Sequence, residues 1–220
     1  MGIVNVRRVG IFGGTFDPIH FGHLVVAENC WAQLGLDEVL FVPAGSPPHK
    51  GGKVISGADD RVAMVERAIA DNDHFRLSRV DVDRPGVSYS VDTVRLLQAQ
   101  LGPETQLFFI IGGDSLGDLP TWRDPSRLVE LCQIVAVNRP GYPRFAPERL
   151  EPAIPRAGQR IRHLVVPELN IAASEIRRRV AAGEPIRYMV PEAVRCYIEE
   201  RGLYCDDRSQ SARIVRFQSS

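Results

Sequence analysis

Leu107 to Ile111 is an unbroken run of apolar residues that ends in Gly112-Gly113. A strand with one wet face alternates apolar and polar side chains. A run without alternation therefore reads as a strand covered on both faces. Val9 to Phe12 ends the same way in Gly13-Gly14, and Val39 to Val42 is closed by Pro43. Phe75 to Val82, Ile134 to Val137 and Leu164 to Val166 read as further strands. Between these runs the apolar spacing is helical. Leu24, Ala27, Cys30, Trp31 and Leu34 form one stripe, with Gly35 as its stop. Ser56 with Asp59 reads as a capping signal for a helix through Ala70. Val91, Val94, Leu97 and Leu101 form a third stripe, ending at Gly102. A short helix precedes Ile134, and two helices, from about Ser174 to Ala182 and from Pro191 to Arg201, close the chain. The expectation is an α/β fold with a doubly wound, mostly parallel sheet and a small helical C-terminal cap.

The chain has 220 residues, and domains commonly run to roughly 150 residues. One domain over 1–205 is expected, with the C-terminal helical part at about 171–205 and a polar, loose tail over 206–220. The composition, 44% hydrophobic and 25% charged, excludes disordered and low-complexity classes. Lys+Arg and Asp+Glu both number 27, so bulk charge gives no reason to expect nucleic-acid or membrane binding. Cys30, Cys132, Cys196 and Cys205 show no CxxC spacing, which fits free thiols in a reducing compartment. No apolar run approaches the roughly 18 residues of a membrane span. A cytoplasmic protein is expected, its oligomeric state open and a homo-oligomer included.

Loops at the C-terminal ends of parallel strands are where such sheets bind ligands. The most informative one lies within Gly10-Ile-Phe-Gly-Gly-Thr-Phe-Asp-Pro-Ile-His-Phe-Gly-His-Leu24. It is not GxGxxG, and no GxxxxGK occurs in the chain. Two glycines let backbone approach a ligand, and His20 and His23 open the next helix three residues apart, on one face. A helix start contributes oriented N–H groups and positive dipole, so with two imidazoles this is an anion site. An HxxH pair is also half of a zinc site, but no neighbouring carboxylate or thiol cluster completes it. Purely structural histidines would leave the glycines without a purpose.

GGTFDPIHFGHL resembles the T/HxGH signature of the nucleotidyltransferase superfamily, in its nicotinate mononucleotide adenylyltransferase branch. Further segments agree in order over roughly residues 8–205: Pro47-Pro-His49-Lys50, Ser88-Tyr-Ser90-Val-Asp-Thr93, Ile111-Gly112-Gly-Asp114-Ser-Leu116 with Leu119-Pro-Thr-Trp122, and Val137-Asn-Arg139-Pro-Gly141. The sixth, Ile171-Ala-Ala-Ser174-Glu-Ile-Arg177, departs from the pattern, because Ala172 stands where the family usually has serine. Ser174 is expected to cap the helix that follows.

The resemblance implies a Rossmann-like nucleotidyltransferase fold and an enzyme of NAD biosynthesis. That enzyme transfers an adenylyl group from ATP to nicotinate mononucleotide, releasing pyrophosphate. It implies His20, His23, Lys50 and Arg177 as the catalytic cations. Gly13, Gly14, Thr15, Phe16, Gly112, Asp114, Arg139 and Ser174 would join the histidines and Arg177 around ATP. Thr15, His49, Lys50, Ser90, Trp122 and Arg123 would meet the mononucleotide. Mg²⁺ would travel with ATP, held through phosphates and water rather than by a protein cage. Two alternatives stay open: a related enzyme preferring nicotinamide mononucleotide or phosphopantetheine, and a non-catalytic module binding adenine nucleotides. Arg123, next to Trp122, is expected to favour the nicotinate carboxylate over the amide. Arg123→Ala should therefore narrow the preference for nicotinate over nicotinamide mononucleotide in kcat/KM; an unchanged ratio removes this role.

Overall fold

A computed structural model describes residues 6–46, 55–138, 146–167 and 169–205. The strands in chain order are β1 (Arg8–Gly14), β2 (Glu38–Pro43), β3 (Phe75–Leu77), β4 (Gln106–Gly112), β5 (Gln133–Asn138) and β6 (Ile161–Val165). The principal helices are α1 (Phe21–Leu34), α2 (Ala58–Ile69), α3 (Ser90–Leu101), α4 (Pro125–Leu131), α5 (Ala157–Arg160), α6 (Ala173–Ala181) and α7 (Glu192–Glu200). The six strands make one sheet in the order β3-β2-β1-β4-β5-β6, every neighbour parallel. This is the doubly wound arrangement expected from the apolar runs.

The runs lack alternation because both sheet faces are covered. Along β4, Phe108 and Ile110 join a core with α1, α2, α6 and α7. Leu107, Phe109 and Ile111 join the opposite core with α3, α4 and α5. Each fully buried side chain of this size contributes about 1.5–3 kcal/mol relative to exposure. A polar residue on either face of β4 would be destabilising.

Three local expectations are corrected. β3 stops at Leu77, well short of Val82, because the chain turns back where the Arg79 carbonyl accepts from the amides of Val82 and Asp83. β6 begins at Ile161, earlier than Leu164, with Arg162 and His163 interrupting the apolar pattern inside the strand. α2 starts after Gly57, whose carbonyl accepts from the Arg61 amide, and no side chain caps it. Ser56 instead gives its carbonyl to the Arg61 guanidinium.

Cys30 and Cys132 sit in the two cores, and burial pushes both thiols up to about 12. Cys196 and Cys205 are half-buried. Thiolate is the reactive form, so a thiol reagent near pH 8 should label Cys196 and Cys205 first. Labelling of Cys30 and Cys132 should require denaturation. Equal rates at all four in the folded protein would contradict this packing.

Candidate active site

From β1 the sheet grows outward in two directions, through β2 to β3 on one side and through β4 to β6 on the other. Connections leaving β1 and β4 therefore diverge at their C-terminal ends and leave a crevice, the usual ligand position in open parallel sheets. The glycine pairs identified in the sequence lie at this point. β1 ends at Gly14, beside Pro43 of β2, and its other neighbour β4 ends at Gly112.

The turn after β1 is held by buried polar contacts. Phe16 takes a left-handed backbone (φ 50°), costly for a residue with a side chain. Its ring packs edge-on against His23 at 5.1 Å and against Phe12 at 5.8 Å. Asp17, 3% exposed, accepts from the Tyr204 hydroxyl at 2.7 Å and from the Ser56 amide at 3.4 Å. Burial pushes the Tyr204 phenol above its ordinary range, so it remains a donor. The Asp17 carbonyl accepts from Arg177 Nη1 at 2.6 Å.

His20 is the N-cap of α1, and His23 is the third residue of that helix. The two rings stack at 3.7 Å and 27°. The His20 amide donates to His23 Nδ1 at 3.2 Å. A ring nitrogen that accepts must carry a lone pair, so a neutral His23 ring bears its proton on Nε2.

Two clefts open around these groups. The first, about 410 Å³, is lined by Gly13, Gly14, His20, His23, Gly112 and Asp114, together with Ile171, Ala172 and Ala173 at the start of α6. Apolar Val26, Val166 and Leu169 complete it, and Leu169 is 43% exposed. Asp114 is the single acid among its described lining residues. Imidazoles and helix starts facing an open space suit a phosphate chain, and the apolar wall suits a flat base. A side chain at Gly112 would collide with Asp114 Oδ1, so only glycine lets Asp114 stand where it does.

The second cleft, about 210 Å³, lies across the same strand ends and shares Phe12, Gly13, Gly14, Ile111, Gly112 and Ser115 with the first. Its own walls are Ala44, Asp81, Ser88, Ser90, Thr93 and Trp122. Asp81, 6% exposed, accepts from Thr93 Oγ1 at 2.8 Å and from Arg84 Nε at 3.0 Å. Trp122 is braced edge-on by Phe109 at 6.3 Å.

Of the expected site residues, the first cleft gathers Gly13, Gly14, His20, His23, Gly112 and Asp114, and the second gathers Ser90 and Trp122. Thr15 and Phe16 shape the turn without lining either cleft. Arg177 is drawn onto Asp17, and Arg123 stacks over the Tyr89 ring at 4.7 Å. His49, Lys50 and Arg139 lie outside the described residues, as does the tail. Ser174 does not cap α6. The N-cap is Ala172, with extended backbone (φ −121°, ψ 137°), and Ser174 falls inside the first turn. Asp17, Arg61, Asp81 and Tyr204 were not singled out from sequence. Arg61 carried a signal, since it shares a helical face with apolar Met64, Val65 and Ala68.

Fold and paired clefts together are those of a nucleotidyltransferase, and the chain belongs to the cytidylyltransferase-like family, whose profile matches residues 11–179. Within that family, relatives that it resembles over most of its length carry the name of probable nicotinate-nucleotide adenylyltransferases. It is 46% identical to a Moorella thermoacetica protein named "Probable nicotinate-nucleotide adenylyltransferase", over 90% of this chain and 91% of that protein. A Thermomicrobium roseum protein of the same name is 49% identical, over 90% and 92%. The solved nicotinic acid mononucleotide adenylyltransferase of Plasmodium falciparum, complexed with NaAD, shares the fold. It has a TM-score of 0.72 at 19% identity, covering 90% of this chain and 97% of that one.

Ala172 is exposed and has the backbone of an N-cap without its hydroxyl. Ala172→Ser supplies an acceptor for the first-turn amides and should stabilise the ligand-free protein by about 1 kcal/mol. Thermal unfolding should shift upward by about 2–4 °C. An unchanged or lower midpoint would show that the α6 start does not accept a side-chain cap.

Proposed function

We propose that the protein joins ATP and nicotinate mononucleotide into nicotinate adenine dinucleotide and pyrophosphate. The observation that carries this reading is the pair of clefts meeting on one glycine floor, Gly13-Gly14 and Gly112. One side is adapted to phosphates and the other ends in an indole. The names of the relatives support the same reaction.

The mononucleotide phosphate oxygen attacks the α-phosphorus of ATP. A new P–O bond forms there as the bond to the β-phosphate oxygen breaks, and the electron pair leaves with pyrophosphate. The attacking phosphate is already an anion near pH 7, so no general base is required. What remains is to bring two anions together and to neutralise charge as it shifts onto the leaving group. His20 and His23 are assigned to the α- and β-phosphates, with the α1 start behind them. Arg177 is assigned to the β- and γ-phosphates, which would replace the Asp17 carbonyl as its acceptor.

Asp114 is assigned to the ribose hydroxyls and Gly112 to the close approach of the nucleotide. Across the floor, Trp122 offers its face to the pyridinium ring, a cation–π contact of about 1 kcal/mol or more once desolvated. Ser90, on the first turn of α3, faces the same cleft. His49, Lys50 and Arg139 keep their roles on sequence grounds, as added positive charge.

Mg²⁺ enters as part of the ATP substrate. It would be held through phosphate oxygens and water rather than by a protein cage, and would offset phosphate charge as the leaving group departs. The reaction is assigned to the cytoplasm. No helix of the described residues is long and apolar enough to cross a membrane.

With ATP and Mg²⁺, pyrophosphate release should be strong with nicotinate mononucleotide, weak with nicotinamide mononucleotide and absent with phosphopantetheine. His20→Ala and His23→Ala should each lower kcat by on the order of 10²-fold or more, while ATP still binds. Turnover of phosphopantetheine, or full activity in either histidine variant, would overturn the assignment.

A further inference from the structure

Arg61 carries a permanently charged group that is 2% exposed, and it lines neither cleft. Burial pushes its guanidinium down from its ordinary range, and the negative charge of buried Asp17 acts against that shift. The planar fork is spent on main-chain carbonyls of three separate segments. Nη1 donates to Thr15 at 3.0 Å, Nη2 to Gly45 at 3.3 Å and Nε to Ser56 at 3.1 Å. Thr15 continues the glycine floor after β1, and Gly45 follows Ala44, a wall of the second cleft.

Gly45 is gripped from its other side as well. Its amide donates to Ser88 Oγ at 3.1 Å, and the Ser88 amide donates to the Ser46 carbonyl at 3.0 Å. A Cβ on Gly45 would run into the carbonyl oxygen of Asp81. The 44–46 loop is therefore clamped between Arg61 behind it and the 81–88 segment beside it. Ala44, Asp81 and Ser88 all line the second cleft. Of the residues assigned to ATP, Thr15 accepts from Arg61 through its carbonyl, whereas His20, His23, Gly112, Asp114 and Arg177 lie on α1, β4, the residues just after β4 and α6, to which Arg61 donates no hydrogen bond.

We propose that Arg61 is a positioning residue that sets the width of the second cleft, and so selects for the acceptor mononucleotide without touching it. The identity of that acceptor rests on the function proposed above. A lysine would keep the charge but lose the planar fork, so it could not hold three carbonyls in one plane.

The test is calorimetric titration of wild type, Arg61→Lys and Gly45→Ala with nicotinate mononucleotide and, separately, a non-hydrolysable ATP analogue, alongside steady-state KM and kcat. Gly45→Ala keeps the buried charge and displaces the same loop, so it decides the matter if Arg61→Lys does not fold. The expected result is a mononucleotide Kd and KM weakened by about tenfold or more in each folded variant. ATP affinity should stay within about threefold of wild type, since a general loss of structure would not discriminate between ligands. Equal weakening for both ligands, or an unchanged mononucleotide affinity, overturns the inference alone. A wild type that binds ATP but no pyridine mononucleotide overturns the functional reading, and with it the ligand named here.

Discussion

Adjacent parallel strands whose connections leave in opposite directions create a gap that nothing in the sheet itself can fill. β1 and β4 are that pair here, and the rest of the site follows from their register. Both strands end in glycine, so the floor of the gap is bare backbone, and both clefts use it. α1 departs from β1 with its start turned toward the gap, which is why His20 and His23 are found there. The apolar strands on either side are satisfied by two separate cores, so the sheet is stiff where the ligands would meet.

The turn between β1 and α1 is fixed by a carboxylate rather than by apolar packing alone. Asp17 gathers the Tyr204 hydroxyl and the Ser56 amide on its side chain and Arg177 on its carbonyl. Those partners come from widely separated parts of the chain. Burying a carboxylate is costly unless donors replace its water, and here the donors come from elements that must already be in place. The left-handed Phe16 beside it persists for the same reason: surrounding packing over-determines its position.

Much of this was legible in the residues. Unbroken apolar runs give β1, β2, β4 and β5, because a strand covered on both faces has no polar side to show. The double glycines mark the strand ends, and the paired histidines mark the helix start. What escaped is tertiary in origin. The end of β3 depends on the Arg79 carbonyl finding two amides, which no local pattern announces. A hydroxyl at Ser174 looks like a cap, yet the helix begins earlier, at a residue whose side chain cannot cap anything. Arg61 on the apolar stripe of α2 was visible as an oddity, but its three acceptors come from loops that converge only in the folded chain.

The shared glycine floor also limits how such a scaffold can diversify. Positions 13, 14 and 112 line both clefts, so a substitution there alters a floor that the two share. Change of acceptor is channelled instead into the segments that only the second cleft uses, 81–93 and the stretch around Trp122. With ATP in the first cleft, as proposed, the nucleotide side would stay constant while the opposite wall is rewritten.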